Sequence, residues 1–230
     1  MSLVLVHGAN FSSAYWKYCV PYLRREVLKI DWPGPYTDDF AGDLSFGLIA
    51  EAALRDMDAA GVGSATLVGH SIGAHIIRVM ADRVPERIKR LVFLAGPILS
   101  EGERWLGSVV PDGQVLLRQW QAEGRYSYNL PPDFVPAFCN DMDEREKNLT
   151  VENMRPGPVQ LFFEPINRLA GTDAIPCTYI KLLRDQMLPP ELQDIYIARL
   201  SQCKIITIDS GHIAMISRPE ELAEILNDVD

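Results

Sequence analysis

The five residues Gly69, His70, Ser71, Ile72 and Gly73 constrain this chain more than any other stretch. They follow the apolar run Ala65, Thr66, Leu67, Val68 and lead into Ile72, His75, Ile76, Val79 and Met80, which recur at helical spacing. Gly-X-Ser-X-Gly between a buried strand and a helix is the pattern of a nucleophile elbow, where serine sits at the apex of a tight turn in strained backbone geometry. Side chains two positions to either side would collide across that turn, and Gly69 and Gly73 remove them. Ser71 is therefore the leading candidate nucleophile, at a helix N-terminus.

A second signal lies at the start of the chain. The apolar strand Leu3, Val4, Leu5, Val6 ends in the turn His7, Gly8, Ala9, Asn10, which can present backbone N–H groups. Acyl transfer puts negative charge on a carbonyl oxygen, and preorganised N–H donors hold it, each lowering the barrier by roughly 3 kcal/mol. The expected donors are the N–H groups of Ala9 and Ile72.

Serine alone is a poor nucleophile near neutrality, so the elbow demands a histidine base and a carboxylate to orient it, in the chain order Ser, Asp, His. The chain has four histidines. His7 and His70 belong to the two turns and are expected to shape them. His75 lies one helical turn past Ser71 on the inward face, where packing or a hydrogen bond is expected. His212 follows the strand Ile205 to Ile208 and then Asp209, Ser210 and Gly211, in a loop of the kind where reactive side chains of an open α/β sheet gather. It is the expected base. The acid should close a strand between Ser71 and His212; Cys177 to Leu183 supply one, followed by Arg184 and Asp185, and Asp185 is the preferred third member. Asp209 stands too near His212 on the same strand end, while Asp173 and Asp194 fall before the strand and in the following helix. The strand after the elbow helix, Leu91 to Leu94, runs into Ala95, Gly96 and Pro97 and offers no carboxylate.

These pieces resemble the α/β-hydrolase fold, and within it the compact branch of plant methylesterases, α-hydroxynitrile lyases and bacterial carboxylesterases. The resemblance covers nearly the whole chain. Its carriers are Leu5 to Ala9, Leu67 to Gly73, Tyr179 to Gln193 (YIKLLRDQMLPPELQ) and Gly211 to Leu226 (GHIAMISRPEELAEIL). The last two are the more specific. In that branch Tyr-Ile followed by Asp, Pro and Gln marks the acid strand, which implies Asp185 as the acid, and Gly-His-X-Ala-Met implies His212 as the base. Hydroxynitrile lyases of this type carry a threonine where this chain has Gly8 and a lysine where it has Ile213. Without that lysine no evident group stabilises departing cyanide, so the resemblance implies hydrolysis rather than cyanohydrin cleavage. The stretch Asn10 to Trp16 (NFSSAYW) departs from the aromatic-rich stretch of the plant esterases, so substrate preference does not carry over.

Composition is that of a soluble enzyme: 230 residues, 47% hydrophobic and 23% charged, can bury one large core. A net charge of -9 argues against nucleic acid and anionic membrane surfaces as partners. A strand starting at Leu3 leaves no room for a charged leader, and no apolar run approaches a membrane span, so the expected compartment is cytoplasmic. Cys19, Cys139, Cys177 and Cys203 show no metal-ligand spacing and read as reduced packing residues.

Strands expected at 3–6, 26–30, 65–69, 90–95, 177–183 and 203–208 alternate with helices at 13–24, 44–61, 72–83, 190–200 and 219–228, the signature of a mainly parallel six-stranded sheet flanked by helices. The alternation breaks between Pro97 and Pro176. Residues 1–96 and 177–230 thus form the expected hydrolase core, and 97–176 a mostly helical cap over the site. That insertion holds Trp105, Trp120, Tyr126, Tyr128, Phe134, Phe138, Phe162 and Phe163, most of them expected to pack it onto the sheet and some to line the pocket. The run Asp141 to Lys147 (DMDEREK) reads as a solvated helix face.

The chemistry expected is cleavage of a small, largely apolar ester through an acyl-enzyme, with no metal or organic cofactor. The partner is the small-molecule ester, with neither nucleic acid nor membrane, and a homodimer is left open. Two other readings stay open: lyase chemistry on the same triad, and a small-molecule receptor on a hydrolase fold.

Overall fold

The computed structural model describes residues 2–33 and 44–229. The chain runs through β1 (Ser2–Val6), β2 (Val27–Ile30), α1 (Phe46–Ala59), β3 (Ala65–His70), α2 (Gly73–Arg83) and β4 (Ile88–Leu94). An insertion follows, with α3 (Pro111–Ala122), β5 (Ser127–Tyr128), α4 (Val135–Phe138), α5 (Glu144–Glu152) and β6 (Gly157–Pro158). The chain then returns through β7 (Cys177–Leu182), α6 (Pro190–Ile197), β8 (Cys203–Ile208), α7 (Ala214–Ser217) and α8 (Pro219–Asn227).

Six of these strands make one parallel sheet in the order β2-β1-β3-β4-β7-β8. Side chains alternate along a strand, so neighbours enter opposite cores. Leu3 and Leu5 join Val68, Val92, Ile180 and Ile208 under Leu222 and Leu226 of α8. Val4 and Val6 join Leu67, Phe93 and Tyr179 under Ile49 and Met57 of α1 and Ile76 and Met80 of α2. Cover on both faces is why the central strands β1 and β3 are buried along their whole length and read as apolar runs, while the edge strands β2 and β8 keep exposed positions. Each fully buried Leu, Ile or Val stabilises the fold by about 2 kcal/mol relative to exposure.

Caps explain where the helices start. Ser45 accepts a hydrogen bond from the Leu48 N–H at 3.1 Å ahead of α1. Asp143 and Glu146 form a reciprocal capping box at α5, so the charged run becomes a capped, solvated helix start. Pro219 opens α8 with Glu220 and Glu221 in its first turn.

Two stretches differ from expectation. Residues 13–24 form two 3-10 turns, Ser13–Tyr18 and Val20–Tyr22, rather than an α-helix. Pro21 has no N–H to give and its ring collides with the carbonyl of a preceding α-turn, so an α ladder cannot run through it. The insertion, besides its helices and 3-10 turns, carries an antiparallel pair in which Ser127 and Tyr128 face Pro158 and Gly157. Its prolines keep the helices short: α4 has only four residues.

Candidate active site

Ser71 sits between β3 and α2 with φ 53°, a left-handed conformation that costs a serine roughly 1–3 kcal/mol. Its N–H donates to the Leu94 carbonyl and its own carbonyl accepts from Ala74 N–H, both at 3.0 Å, and these bonds hold the turn. The elbow glycines are sterically required. A Cβ on Gly69 would stand 2.5 Å from the Gly73 carbonyl oxygen, and one on Gly73 2.7 Å from that of His7.

The strand ends beyond Ser71 are stitched to one another. Ala95 N–H reaches the Ile180 carbonyl, Leu183 N–H that of Ile208, and Arg184 N–H that of Ser210. These bonds carry the loops after β7 and β8 to a common crest. There His212 Nδ1 lies 2.7 Å from Asp185 Oδ2, both residues being buried. The other carboxylate oxygen, Oδ1, accepts from the N–H groups of Met187 and Leu188 at 2.8 Å each. A carboxylate only accepts, so Nδ1 of His212 carries a hydrogen, and of the two neutral tautomers the contact selects the one with its lone pair on Nε2. Gln193, fully buried, braces this turn by bonding both main-chain groups of Leu182 and the Leu188 carbonyl. The signal for Asp185 is its place just past a strand end; Gln193 is visible in the sequence only as part of the resemblance.

The structure thus brings Asp185 and His212 into direct contact and sets Ser71 and His212 on the wall of one cavity. It does not close a hydrogen bond between Ser71 Oγ and His212, a contact that commonly tightens only around substrate. Ala9 and Ile72 border the same cavity, and neither N–H meets a carbonyl acceptor among the described residues.

The other three histidines are buried and held neutral. Burial pushes His75 down to about 3 and His7 to about 4, the latter opposed by the Gly8 carbonyl and Asp31. His75 packs edge-on against Phe46 at 4.5 Å, and His7 stacks on Trp32 at 4.5 Å. His70 is lowered well below the usual value, by burial first and His212 second. Its Nε2 lies 2.9 Å from the His212 carbonyl oxygen, a cross-link that a turn-shaping reading did not foresee. Asn10 also does more than turn the chain. In left-handed geometry (φ 64°), it accepts a hydrogen bond from the Tyr128 hydroxyl at 2.8 Å and so ties the β1 loop to the insertion.

The cavity holds about 100 Å³, and no Asp, Glu, Lys or Arg is among its described lining residues. Trp105, Trp120, Tyr128, Phe134, Phe138 and Phe162 all border it, which overturns the expectation that most insertion aromatics only pack. Packing and lining are not alternatives here. Trp105, Tyr128 and Phe162 belong to one core and Phe138 to the other while also lining the cavity.

Comparison with known proteins agrees with this architecture. A family model described as the alpha/beta hydrolase family matches residues 3–225. The chain is 28% identical to methylesterase 18 of Arabidopsis thaliana, over 97% of this chain and 94% of that protein. It is 26% identical to the karrikin insensitive 2 receptor CA of Petunia hybrida, over 98% and 90%. Among solved structures it resembles an extracellular alpha/beta-hydrolase from a Paenibacillus species, with a TM-score of 0.87 at 22% identity, covering 98% of this chain and 97% of that one.

Proposed function

This chain belongs to the alpha/beta hydrolase family, and from that premise we propose that it is a serine carboxylesterase acting on a small, largely apolar ester. Ser71 attacks the ester carbonyl while His212 Nε2 takes its proton, and Asp185 holds the imidazole in the tautomer that leaves Nε2 free. The N–H groups of Ala9 and Ile72 receive the oxyanion. The alcohol leaves with a proton from His212, and water repeats the attack on the acyl-enzyme. Residues 97–176 act as the cap that keeps water out and selects the ester by shape.

The observation that carries this reading is the 2.7 Å His212–Asp185 contact on the same cavity as an elbow serine in left-handed geometry. The methylesterase relative supports it. Ser71→Ala should lower turnover of a small chromogenic ester by at least about a thousand-fold, with circular dichroism unchanged. Undiminished turnover in that variant would sink the proposal.

The receptor reading draws on the karrikin insensitive 2 relative. On that reading the purified protein would bind small molecules in the aromatic cavity without reacting with a serine-directed fluorophosphonate. Rapid stoichiometric labelling at Ser71 favours the esterase. Lyase chemistry is disfavoured at Gly8 and Ile213. The latter is fully buried and places no cation at the site.

A further inference from the structure

The elbow carries one side chain that the reaction scheme leaves unused. His70 ends β3 and points, like Val68 two residues before it, into the core beneath α8. There it is fully buried, its ring centroid 4.7 Å from that of His212, with Nε2 at 2.9 Å from the His212 carbonyl oxygen. A carbonyl oxygen only accepts, so Nε2 carries the hydrogen. Nδ1 is then a buried acceptor with no partner. An orphan of that kind is costly, and a leucine of similar size would avoid the cost. What the imidazole adds is the Nε2–H. Gly8 makes its position possible: a Cβ there would stand 3.0 Å from His70 Nδ1 and 3.0 Å from Ser71 Cβ.

At the receiving end, His212 lies in irregular backbone between Gly211 and the start of α7, where no strand or helix ladder fixes its main chain. Asp185 orients the ring, but a ring can be correctly oriented and still stand too far from its nucleophile. We propose that His70 is a positioning residue that ties the main chain of His212 to the residue next to Ser71 and thereby sets the reach of Nε2 to Oγ. This rests on the serine-esterase reading. It gives the residue before the nucleophile a role that needs an N–H donor at the Nε2 position and nothing else of histidine chemistry.

The test compares wild type, His70→Gln and His70→Leu on a small chromogenic ester, with rates expressed per active site titrated by a fluorophosphonate. Glutamine can place an N–H near the position of Nε2, and leucine cannot. The expected result is a fall in kcat of about 10- to 100-fold for His70→Leu with KM changed less than about two-fold, and recovery by His70→Gln to within about three-fold of wild type. Leucine at wild-type kcat, or equal losses in both variants, overturns the proposal. Should the leucine variant not fold, the 15N chemical shifts of the wild-type imidazoles decide. The Nε2–H tautomer at His70 at pH 7 supports the proposal, whereas the Nδ1–H tautomer or an imidazolium overturns it. A wild type inert to both ester and fluorophosphonate would instead sink the esterase reading, and the tautomer measurement would still judge the His70–His212 bond.

Discussion

The crest of the sheet and the insertion above it face each other across one cavity, and they are built in different ways. On the crest, main-chain hydrogen bonds continue past the ends of β3, β4, β7 and β8 and join the loops of Ser71 and Asp185 to the β8 loop as far as Ser210, two residues before His212. The insertion is held largely by side chains, beside a main-chain bond from the Arg155 N–H to the Asn10 carbonyl at 2.8 Å. The Tyr128 hydroxyl reaches Asn10 and the Ser108 and Tyr196 hydroxyls pair, each at 2.8 Å, while Trp120 stacks on Tyr128 at 4.7 Å. A backbone ladder has one register and tolerates little displacement, whereas apolar packing accepts substitution if volume is kept. Substitutions on the crest should therefore act on rate or on folding as a whole, and those in the insertion on which ester is chosen.

The largest effect should come from Asp185→Asn. The amide can still accept from Met187 and Leu188 but no longer holds His212 in the right tautomer, so kcat should fall by about 10³- to 10⁴-fold with the melting temperature little changed. Next is Gly69→Ala, whose Cβ would stand 2.5 Å from the Gly73 carbonyl oxygen. Urea unfolding should show a loss on the order of 4 kcal/mol, or no folded protein. A variant with wild-type stability would break the claim that the crest is rigid.

Acid should act on the same region. His7, His70 and His75 have folded pKa values below the unfolded 6.5, so between the two values each is neutral in the fold and takes up a proton on unfolding. Their stabilising contribution is complete above pH 6.5 and falls as the pH drops toward the folded values of about 4 for His7 and about 3 for His75. By pH 4 the loss should be on the order of 3 kcal/mol for each of these two, read as unfolding free energy against pH. Stability flat between pH 6.5 and 4 would contradict it.

The smallest effect belongs to the insertion. Trp120→Ala should change kcat/KM for bulky aromatic esters by about 1–2 kcal/mol while acetyl ester turnover stays within about three-fold. A loss shared equally by both esters would erase the distinction between the two regions.

That division also explains what could be read from residues alone. Ser71 was legible because the steric demand for Gly69 and Gly73 is local, and the central strands β1 and β3 because burial on both faces leaves apolar runs. Asp185 and His212 were legible as polar residues just past strand ends. The His70–His212 bond spans 142 positions and the Tyr128–Asn10 bond 118, and neither leaves a local pattern. Residues 13–22 form 3-10 turns where a helix is expected: buried Tyr15, Trp16 and Cys19 fall at helical spacing, but Pro21 forbids the ladder. The β5–β6 pair is only two residues long on each side, too short for any periodicity to appear.

The uncharged wall of the cavity has a thermodynamic consequence on the proposed chemistry. An ester enters neutral, and hydrolysis leaves a carboxylate among aromatic side chains with no described Lys or Arg on the wall to pair it. The reaction converts a guest that fits its surroundings into one that belongs in water, so release is downhill and the reverse synthesis is disfavoured at the site itself. The free acid should then inhibit far more weakly than its neutral amide of the same shape. Comparable inhibition constants for the two would show that the product finds a counter-charge after all.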